Sequence, residues 1–389
     1  MSAMELIDLG VASASAPVLV ASVYLALLAV VAKRGVAPRG SDAVRFDVIV
    51  PAHDEEASVG ATVESLLAQD YPRDAFRVVV VADNCTDATA ARAHASGAQV
   101  LERTDASRRG KGFALAMAFE RSLDRGDVDA VVVVDADTRA SHNLLRALAA
   151  RLAAGERAVQ AEYGVRNPDA SWRTRLMVLA MALFHTLRSR ARERLGLSCG
   201  LRGNGMAIAC SALREVPYDA FSIVEDVEYG VRLGLAGHRV AYAGEATVLG
   251  EMPSTARGAT SQRARWESGR RALRQAFALP LVRRGLAEQD AVLLDLGTDL
   301  LVPPLARLVA WIVAGLAISA ALALPHALAT WSIAAACVAF YVARGAQISG
   351  LGLRALGDLA WAPVYAAWKL AVPSRLSATW ERTAREKSK

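Results

Sequence analysis

The chain has 389 residues, 53% of them hydrophobic, and a formal net charge of +6 from 45 Lys and Arg against 39 Asp and Glu. Soluble domains hold about 45–50% apolar residues, so this excess, with a mean hydropathy of +0.25, excludes a disordered chain and argues against a wholly soluble enzyme. The charge is too mild to mark a nucleic-acid binder, and it is local: Arg257, Arg263, Arg265, Arg270, Arg271, Arg274, Arg283 and Arg284 share their segment with one acid, Glu267.

The first element is an uncharged apolar run, residues 11–32. At about 1.5 Å per residue it would cover about 33 Å as a helix, enough for a hydrocarbon core of about 30 Å. A cleaved signal would lead with basic residues, whereas Glu5 and Asp8 precede this run and Lys33, Arg34 and Arg39 follow it. An uncleaved transmembrane anchor is therefore expected, with the following domain on the cytoplasmic face.

Residues 45–255 read as an α/β domain. Strand-like runs at Asp47–Pro51, Arg77–Val81 and Ala130–Val134 alternate with helical patterns at Ala57–Ala68, Asp87–Ala95, Phe113–Leu123 and Leu144–Leu152. Near-continuous β-branched strands between helices predict a parallel sheet buried on both faces. Ligands of such sheets lie beyond the carboxyl ends of the strands, and polar residues follow each run there. After the first come Pro51, Ala52, His53, Asp54, Glu55 and Glu56; after the second, Asp83 to Asp87; after the third, Asp135-Ala136-Asp137. Asp54, Glu56 and Asp87 can equally serve as caps of the following helices. Asp135 and Asp137, at i and i+2 of an extended strand end, would share one face. Two such carboxylates suit Mg²⁺ or Mn²⁺ carried with a diphosphate.

Lys111, between Gly110 and Gly112 ahead of a helix, could meet an anion or merely sit in a solvated basic turn. Trp172–Leu195 reads as a long helix too short in its apolar part to span a membrane. The segment Ser198–Cys210 carries Gly203, Asn204 and Gly205, where backbone can approach a ligand closely or simply turn into a strand. Val224–Leu235 is amphipathic, with Val227, Val231 and Leu235 on its apolar side and an acidic cluster, Glu225, Asp226 and Glu228, that would by default be solvated. Residues 256–290 form a basic amphipathic segment holding Gln262, Arg265 and Trp266, suited to anionic lipid or to a diphosphate.

A second apolar block, residues 299–373, divides into Leu300–Leu324, Ala327–Ala343 and a shorter stretch, Leu359–Val372, that carries Lys369. Two spans plus one interfacial or re-entrant segment would return the chain to the cytoplasm, where the basic tail 374–389 ends. Cysteines 85, 199, 210 and 337 show no metal-ligand spacing and are expected as free thiols.

Taken in order, Asp83, Asp135-Ala136-Asp137, Glu225-Asp226 and Gln262 with Arg265-Trp266 resemble the D, D-x-D, E-D and Q-x-x-R-W series of the membrane-bound family 2 glycosyltransferases, the group of cellulose, chitin and hyaluronan synthases. The resemblance implies a GT-A fold, Rossmann-like and built for nucleotide-diphospho-sugars, in a multi-pass protein of the cell (inner) membrane. It implies that Pro51, Ala52, Glu55 and Asp83 hold the nucleotide of a UDP-sugar, and that Asp135 and Asp137 carry the metal. Lys111 would meet the phosphates and Asp226 would be the general base. Glu225, Gln262, Arg265 and Trp266 would face the diphosphate and the acceptor, and Gly203, Asn204 and Gly205 would belong to the acceptor loop. The implied reaction is inverting transfer to a glycan or lipid-linked acceptor at the bilayer, with no nucleic-acid partner. A nucleotidyl- or phospho-sugar transferase, and a non-catalytic subunit of a polysaccharide assembly, are the alternatives. His53-Asp54 and Ala82 depart from the pattern common in the family.

Overall fold

The structure, a computed structural model, describes residues 2–38, 40–253, 256–350, 352 and 357–361. Most of the expected third membrane segment and the whole tail 374–389 lie outside the described residues. In chain order, the helices are α1 (Ala3–Ala14), α2 (Ala16–Val31), α3 (Val59–Leu67), α4 (Thr89–Ala95), α5 (Lys111–Arg125), α6 (Leu144–Ala153), α7 (Trp172–Met181), α8 (Arg188–Arg194), α9 (Cys210–Glu215), α10 (Glu225–Leu235), α11 (Ala256–Leu273), α12 (Leu279–Glu288), α13 (Ala291–Leu301), α14 (Leu305–Ala321) and α15 (Pro325–Ile348). The strands are β1 (Phe46–Ala52), β2 (Phe76–Asp83), β3 (Gln99–Arg103), β4 (Ala130–Val133), β5 (Arg139–Ala140), β6 (Ala158–Val165), β7 (Met206–Ala209) and β8 (Val240–Gly250).

The strands form one sheet in the order β3-β2-β1-β4-β7-β6-β8-β5. Its first half is parallel, as the β-branched runs predict. The expectation of an all-parallel sheet fails beyond β4, because β7 pairs antiparallel with both β4 and β6. The segment before β7 arrives at the carboxyl end of β4, opposite Val133, and so must run back down the sheet. The result is a mixed α/β sheet. Side-chain alternation divides the core as a strand buried on both faces requires. Val48, Val50, Val132 and Val134 pack toward α3 and α6, whereas Ile49, Val131 and Val133 pack toward α5 and α9.

A separate apolar cluster joins α2, α7, α14 and α15 through Leu25, Leu28, Leu179, Leu308, Ile312 and Trp331. Among the described residues, α15 alone is long and apolar enough to cross a membrane; the number rises to three if the bent pairs α1–α2 (44°) and α13–α14 (65°) each count as one span. The expected anchor at 11–32 is thus not one straight helix. Pro17 stands at the start of α2, where it has no N–H for the preceding turn, and the Ser15 hydroxyl donates to Ala12 O at 2.6 Å at the break.

A buried charge network ties these helices to the domain. Arg192 pairs with Asp295 at 2.7 Å and Asp299 at 2.8 Å, and Arg188 pairs with Asp299 at 2.8 Å. The Tyr24 hydroxyl donates to Asp295 at 2.7 Å and accepts from Arg192. Arg270 of α11 reaches the same Asp299 at 3.0 Å.

Candidate active site

Strands β2, β1 and β4 end side by side, so Asp83, Pro51-Ala52 and the D-x-D segment share one edge of the sheet. The loop entering β7 reaches that edge from the antiparallel direction. Asp83 is buried, and its Oδ1 accepts from Arg103 Nη1 at 2.6 Å and Asn84 Nδ2 at 2.9 Å. His53 Nδ1 lies 2.7 Å from Asp83 O, and Asp54 Oδ1 accepts from Thr86 N at 2.6 Å. These bonds bind the ends of β1 and β2 into one rigid rim.

The capping alternative is realised for Asp87 alone among the neighbouring acids, since Asp54 and Glu56 accept from the segment before α4 and not from α3. Asp87 accepts from Thr89 N, Glu56 accepts from Ala88 N, and Asp54 closes the turn to Thr86. Glu55, expected at the nucleotide, accepts from Ser58 Oγ at 2.9 Å, and its N–H donates to Thr89 Oγ1 at 2.7 Å. Asp54, Cys85 and Asp87 place ligand atoms within 4.8 Å of one another, and both carboxylates also accept from backbone N–H groups.

The D-x-D segment is not extended. Strand β4 stops at Val133, and Thr138 N donates to Asp135 O at 3.1 Å, so Asp135 and Asp137 occupy a turn rather than one face of a strand. Asn204 shapes that turn. Fully buried, it accepts from Asp135 N through Oδ1 at 3.1 Å and donates to Thr138 Oγ1 through Nδ2 at 2.8 Å, while Gln160 Nε2 holds its carbonyl at 2.7 Å. The amide expected on an acceptor loop is therefore used to brace the D-x-D turn. Gly203 (φ 72°) and Gly205 (φ 67°) flank it in the left-handed region. A Cβ at Gly205 would lie 2.6 Å from Val248 Cγ2.

Lys111 opens α5 and points into this turn. Its Nζ lies 2.5 Å from Asp135 Oδ1, 2.6 Å from Gly203 O and 4.0 Å from Glu225 Oε1. The solvated-turn alternative is overturned. Burial opposes the ammonium, but Asp135 and Glu225 outweigh it and hold its pKa above the usual lysine value.

Glu225 and Asp226 form the first turn of α10, and neither belongs to a solvated face. Glu225 is 8% exposed and Asp226 half-buried. A Cβ built on Gly203 would sit 3.1 Å from Asp226 Oδ2 and 3.2 Å from Lys111 Nζ, so both line the same narrow space. Burial raises the Glu225 carboxyl, reinforced by Asp226 and offset by Lys111. Burial also raises Asp226, with Lys111 opposing. Tyr163, at the far end of β6, lies within electrostatic reach of Asp135, Asp137 and Asp226; burial and these charges hold its phenol well above the usual value.

The apolar side expected for α10 is half of the picture. Val231 and the partly buried Val227 and Leu235 pack with α11–α13, but Tyr229 and Leu233 fill the core beneath the sheet. The basic segment forms α11, a π-turn at Arg274–Ala278, and α12. Gln262 and Arg265 are half-buried, and Trp266 is 39% exposed. Helical spacing places Gln262, Arg265 or Trp266, and Gly269 along one face. Gly269 packs so closely on Val224 that a Cβ would meet its Cγ1 and Cγ2 at 2.7 Å, setting that face beside the residue preceding Glu225.

Residues not anticipated from sequence include Arg103, which holds Asp83, and Gln160 and Tyr163, which line the D-x-D turn. Arg202 is another: its guanidinium lies 4.9 Å over the Phe184 ring, beside Arg188 at 4.7 Å and Arg270 at 5.0 Å. Burial and neighbouring cations lower its pKa to about 10. An arginine directly before a glycine-rich loop is the one signal that could have marked it.

The donor set fits a divalent cation. Asp135, Glu225 and Asp226 lie around the ammonium of Lys111, and their carboxylate oxygens are the hard donors a divalent cation takes.

Residues 44–269 match the model of one protein family, described as glycosyltransferase like family 2. The chain is 31% identical over 229 residues to the beta-monoglucosyldiacylglycerol synthase of Synechocystis sp., covering 57% of this chain and 47% of that protein. It is 25% identical over 234 residues to the probable glycosyltransferase YdaM of Bacillus subtilis, covering 58% and 55%. The chain thus spans about half the length of the curated relatives it matches. Among solved structures, the mannosyltransferase PcManGT of Pyrobaculum calidifontis, in complex with GDP-Man and Mn²⁺, superposes with a TM-score of 0.55 at 19% identity, over 86% of this chain and 98% of that one. That likeness establishes the α/β, GT-A-like fold.

Proposed function

The chain belongs to glycosyltransferase like family 2, and from that premise we propose that it is an inverting glycosyltransferase of glycolipid or polysaccharide synthesis, working at the cytoplasmic face of the membrane. The observation that carries this reading is the convergence of Lys111, Asp135 and Asp226 on the space beside Gly203, at the carboxyl edge of the sheet.

The proposed donor is a UDP-sugar, its nucleotide lying against Pro51, Ala52, Glu55 and Asp83. Asp135 and Asp137 would hold Mg²⁺ or Mn²⁺, which when bound supplies neutralisation of the diphosphate charge. The Lys111 ammonium and Arg265 face the same charge as it grows on the leaving group. Asp226 takes the proton of the acceptor hydroxyl while that oxygen bonds to the anomeric carbon. The bond from that carbon to the diphosphate breaks in the same displacement, its electron pair leaves with UDP, and the configuration inverts. Proton removal by a placed carboxylate contributes roughly 10²–10⁴-fold. Trp266, exposed on α11, offers an apolar face to a sugar ring of the acceptor. The acceptor class, a glycolipid or a growing glycan, is supported by the activity for which the Synechocystis relative is named and by the apolar helices beside the domain.

In this reading, residues 11–32 and the two described C-terminal apolar helices hold the domain against the bilayer. The test is release of nucleoside diphosphate by the full chain in lipid, with a panel of UDP- and GDP-sugars and with or without Mn²⁺. Turnover of a UDP-sugar that requires both metal and a lipid or glycan acceptor supports the reading. Binding of no nucleotide-sugar by folded protein overturns it.

A further inference from the structure

Beyond the site just described, a pocket of about 320 Å³ opens where α2 and α15 end. Its ionisable lining residues, Lys33, Arg34, Arg190 and Arg344, are all cations, and Gln347 joins them. Positive charge at a helix C-terminus has an ordinary use, since it satisfies the last carbonyls. Arg344 does this: its Nη2 donates to Ala32 O at 3.0 Å and its Nη1 donates to Gln347. Lys33 and Arg34 are exposed, and Arg190 lies within electrostatic reach of Glu162. Among the described residues, no carboxylate lies within 4.0 Å of Lys33, Arg34 or Arg190. Four cations thus line one solvent-open space, and no carboxylate is among its lining residues.

The surroundings identify the kind of anion. Val20, Val23, Leu27 and Val30 are exposed on α2 at spacings of three and four residues, so they form one outward stripe. That stripe runs directly into Lys33 and Arg34. On α15, Ile333 and Phe340 are exposed as well, and Phe340 stands one turn before Arg344. Exposed apolar residues along two helices that end at a basic pocket match a molecule with acyl chains and a phosphate head. Basic pockets between membrane helices on the cytoplasmic side bind anionic lipid head groups.

We propose that the pocket formed by Lys33, Arg34, Arg190 and Arg344 binds the phosphate of an anionic membrane phospholipid, whose acyl chains lie along the exposed stripes of α2 and α15. The inference rests on the membrane association proposed above, and it concerns a site separate from the carboxylate cluster. The bound lipid would fix the depth and tilt of the helices on which the domain rests.

The experiment uses the full chain in nanodiscs of phosphatidylcholine, with and without phosphatidylglycerol, and reads retained lipid by native mass spectrometry. Wild type retains phosphatidylglycerol from the mixed discs, and millimolar inorganic phosphate does not displace it. The triple variant Lys33→Gln, Arg34→Gln, Arg190→Gln loses affinity for that lipid on the order of 100-fold while still entering the discs. Raising the salt concentration on the wild type repeats the comparison without any substitution. Equal retention by wild type and variant, both embedded, overturns the pocket and leaves the membrane reading intact. Displacement by inorganic phosphate shows a free-phosphate site and overturns the lipid assignment. A chain that enters no disc, neutral ones included, overturns the membrane reading and the pocket with it.

Discussion

The ammonium of Lys111 lies 2.5 Å from Oδ1 of Asp135, and it is held there from the other side by the Gly203 carbonyl at 2.6 Å. One cation therefore joins the D-x-D turn, the loop before β7 and the start of α10. Replacing it by Met should lower kcat by about 10²–10³-fold, the usual cost of one charge-stabilising donor. Arginine should not restore the rate, because a planar fork does not fit the compact position of an ammonium. Initial rates across a metal titration check this: added Mn²⁺ should not restore kcat in Lys111→Met.

Asp226 and Glu225 should separate cleanly. Asp226→Asn should cost roughly 10²–10⁴-fold in kcat with donor binding retained. Glu225 faces Lys111 rather than the acceptor proton in this reading, so Glu225→Gln should cost less in kcat than Asp226→Asn. The raised Asp226 carboxyl also fixes the sign of the pH dependence. The base works when ionised, so kcat/KM should fall as pH drops through a limb above the ordinary aspartate value of about 3.9. A pH–rate profile of wild type and Glu225→Gln reads this directly.

Arg103 acts through Asp83. Removing one partner of a buried ion pair costs about 3–5 kcal/mol, so Arg103→Leu should lower thermal stability. It should also raise KM for the donor more than it lowers kcat, because Asp83 is assigned to the nucleotide and not to the reacting bond. Steady-state kinetics with the donor varied separates the two parameters.

The contact of Gly269 with Val224 links the helix of Gln262 and Arg265 to the Glu225-Asp226 turn. Gly269→Val should push the two apart, and a displacement of about 1 Å near reacting groups can cost on the order of 100-fold. The double variant Gly269→Ala, Val224→Ala should recover activity that Gly269→Ala alone loses. Rescue measured in kcat distinguishes positioning from a general loss of stability.

Asp299 serves Arg188, Arg192 and Arg270 at once. Asp299→Asn should destabilise the full chain by about 3–5 kcal/mol, read by thermal unfolding in detergent, because the buried guanidinium groups of Arg188 and Arg192 and the half-buried one of Arg270 lose their common partner.

What was legible in the sequence follows from where its physics is local. The runs around Val48, Val80 and Val132 announce strands because both faces of each are buried, and the acids after them follow from strand polarity. Lys111 was visible as a candidate, but its choice between solvent and site depended on Gly203, distant in sequence. Strand β3, Gln-Val-Leu-Glu-Arg, is half-exposed with a neutral polar residue at one end and two charges at the other, so it and Arg103 carry little strand signal. The antiparallel turn of the sheet at β7 was equally hidden, since MAIA is as short and apolar as a helical turn. The D-x-D geometry was misjudged because Asn204, supplied from another segment, pulls Asp135 into a turn. At 11–32, composition outweighed Pro17, and the bend beside Ser15 was read as continuous.

The central claim is that the carboxylates gathered around Lys111 perform metal-assisted sugar transfer. Its most direct test is nucleoside diphosphate release by the full chain in lipid, supplied with a UDP-sugar, Mn²⁺ and a lipid or glycan acceptor, beside Asp137→Asn and Asp226→Asn. The account predicts metal-dependent turnover in wild type, loss of turnover in both variants, and retained nucleotide-sugar binding in Asp226→Asn. Turnover undiminished in either variant, with the protein folded, would contradict it.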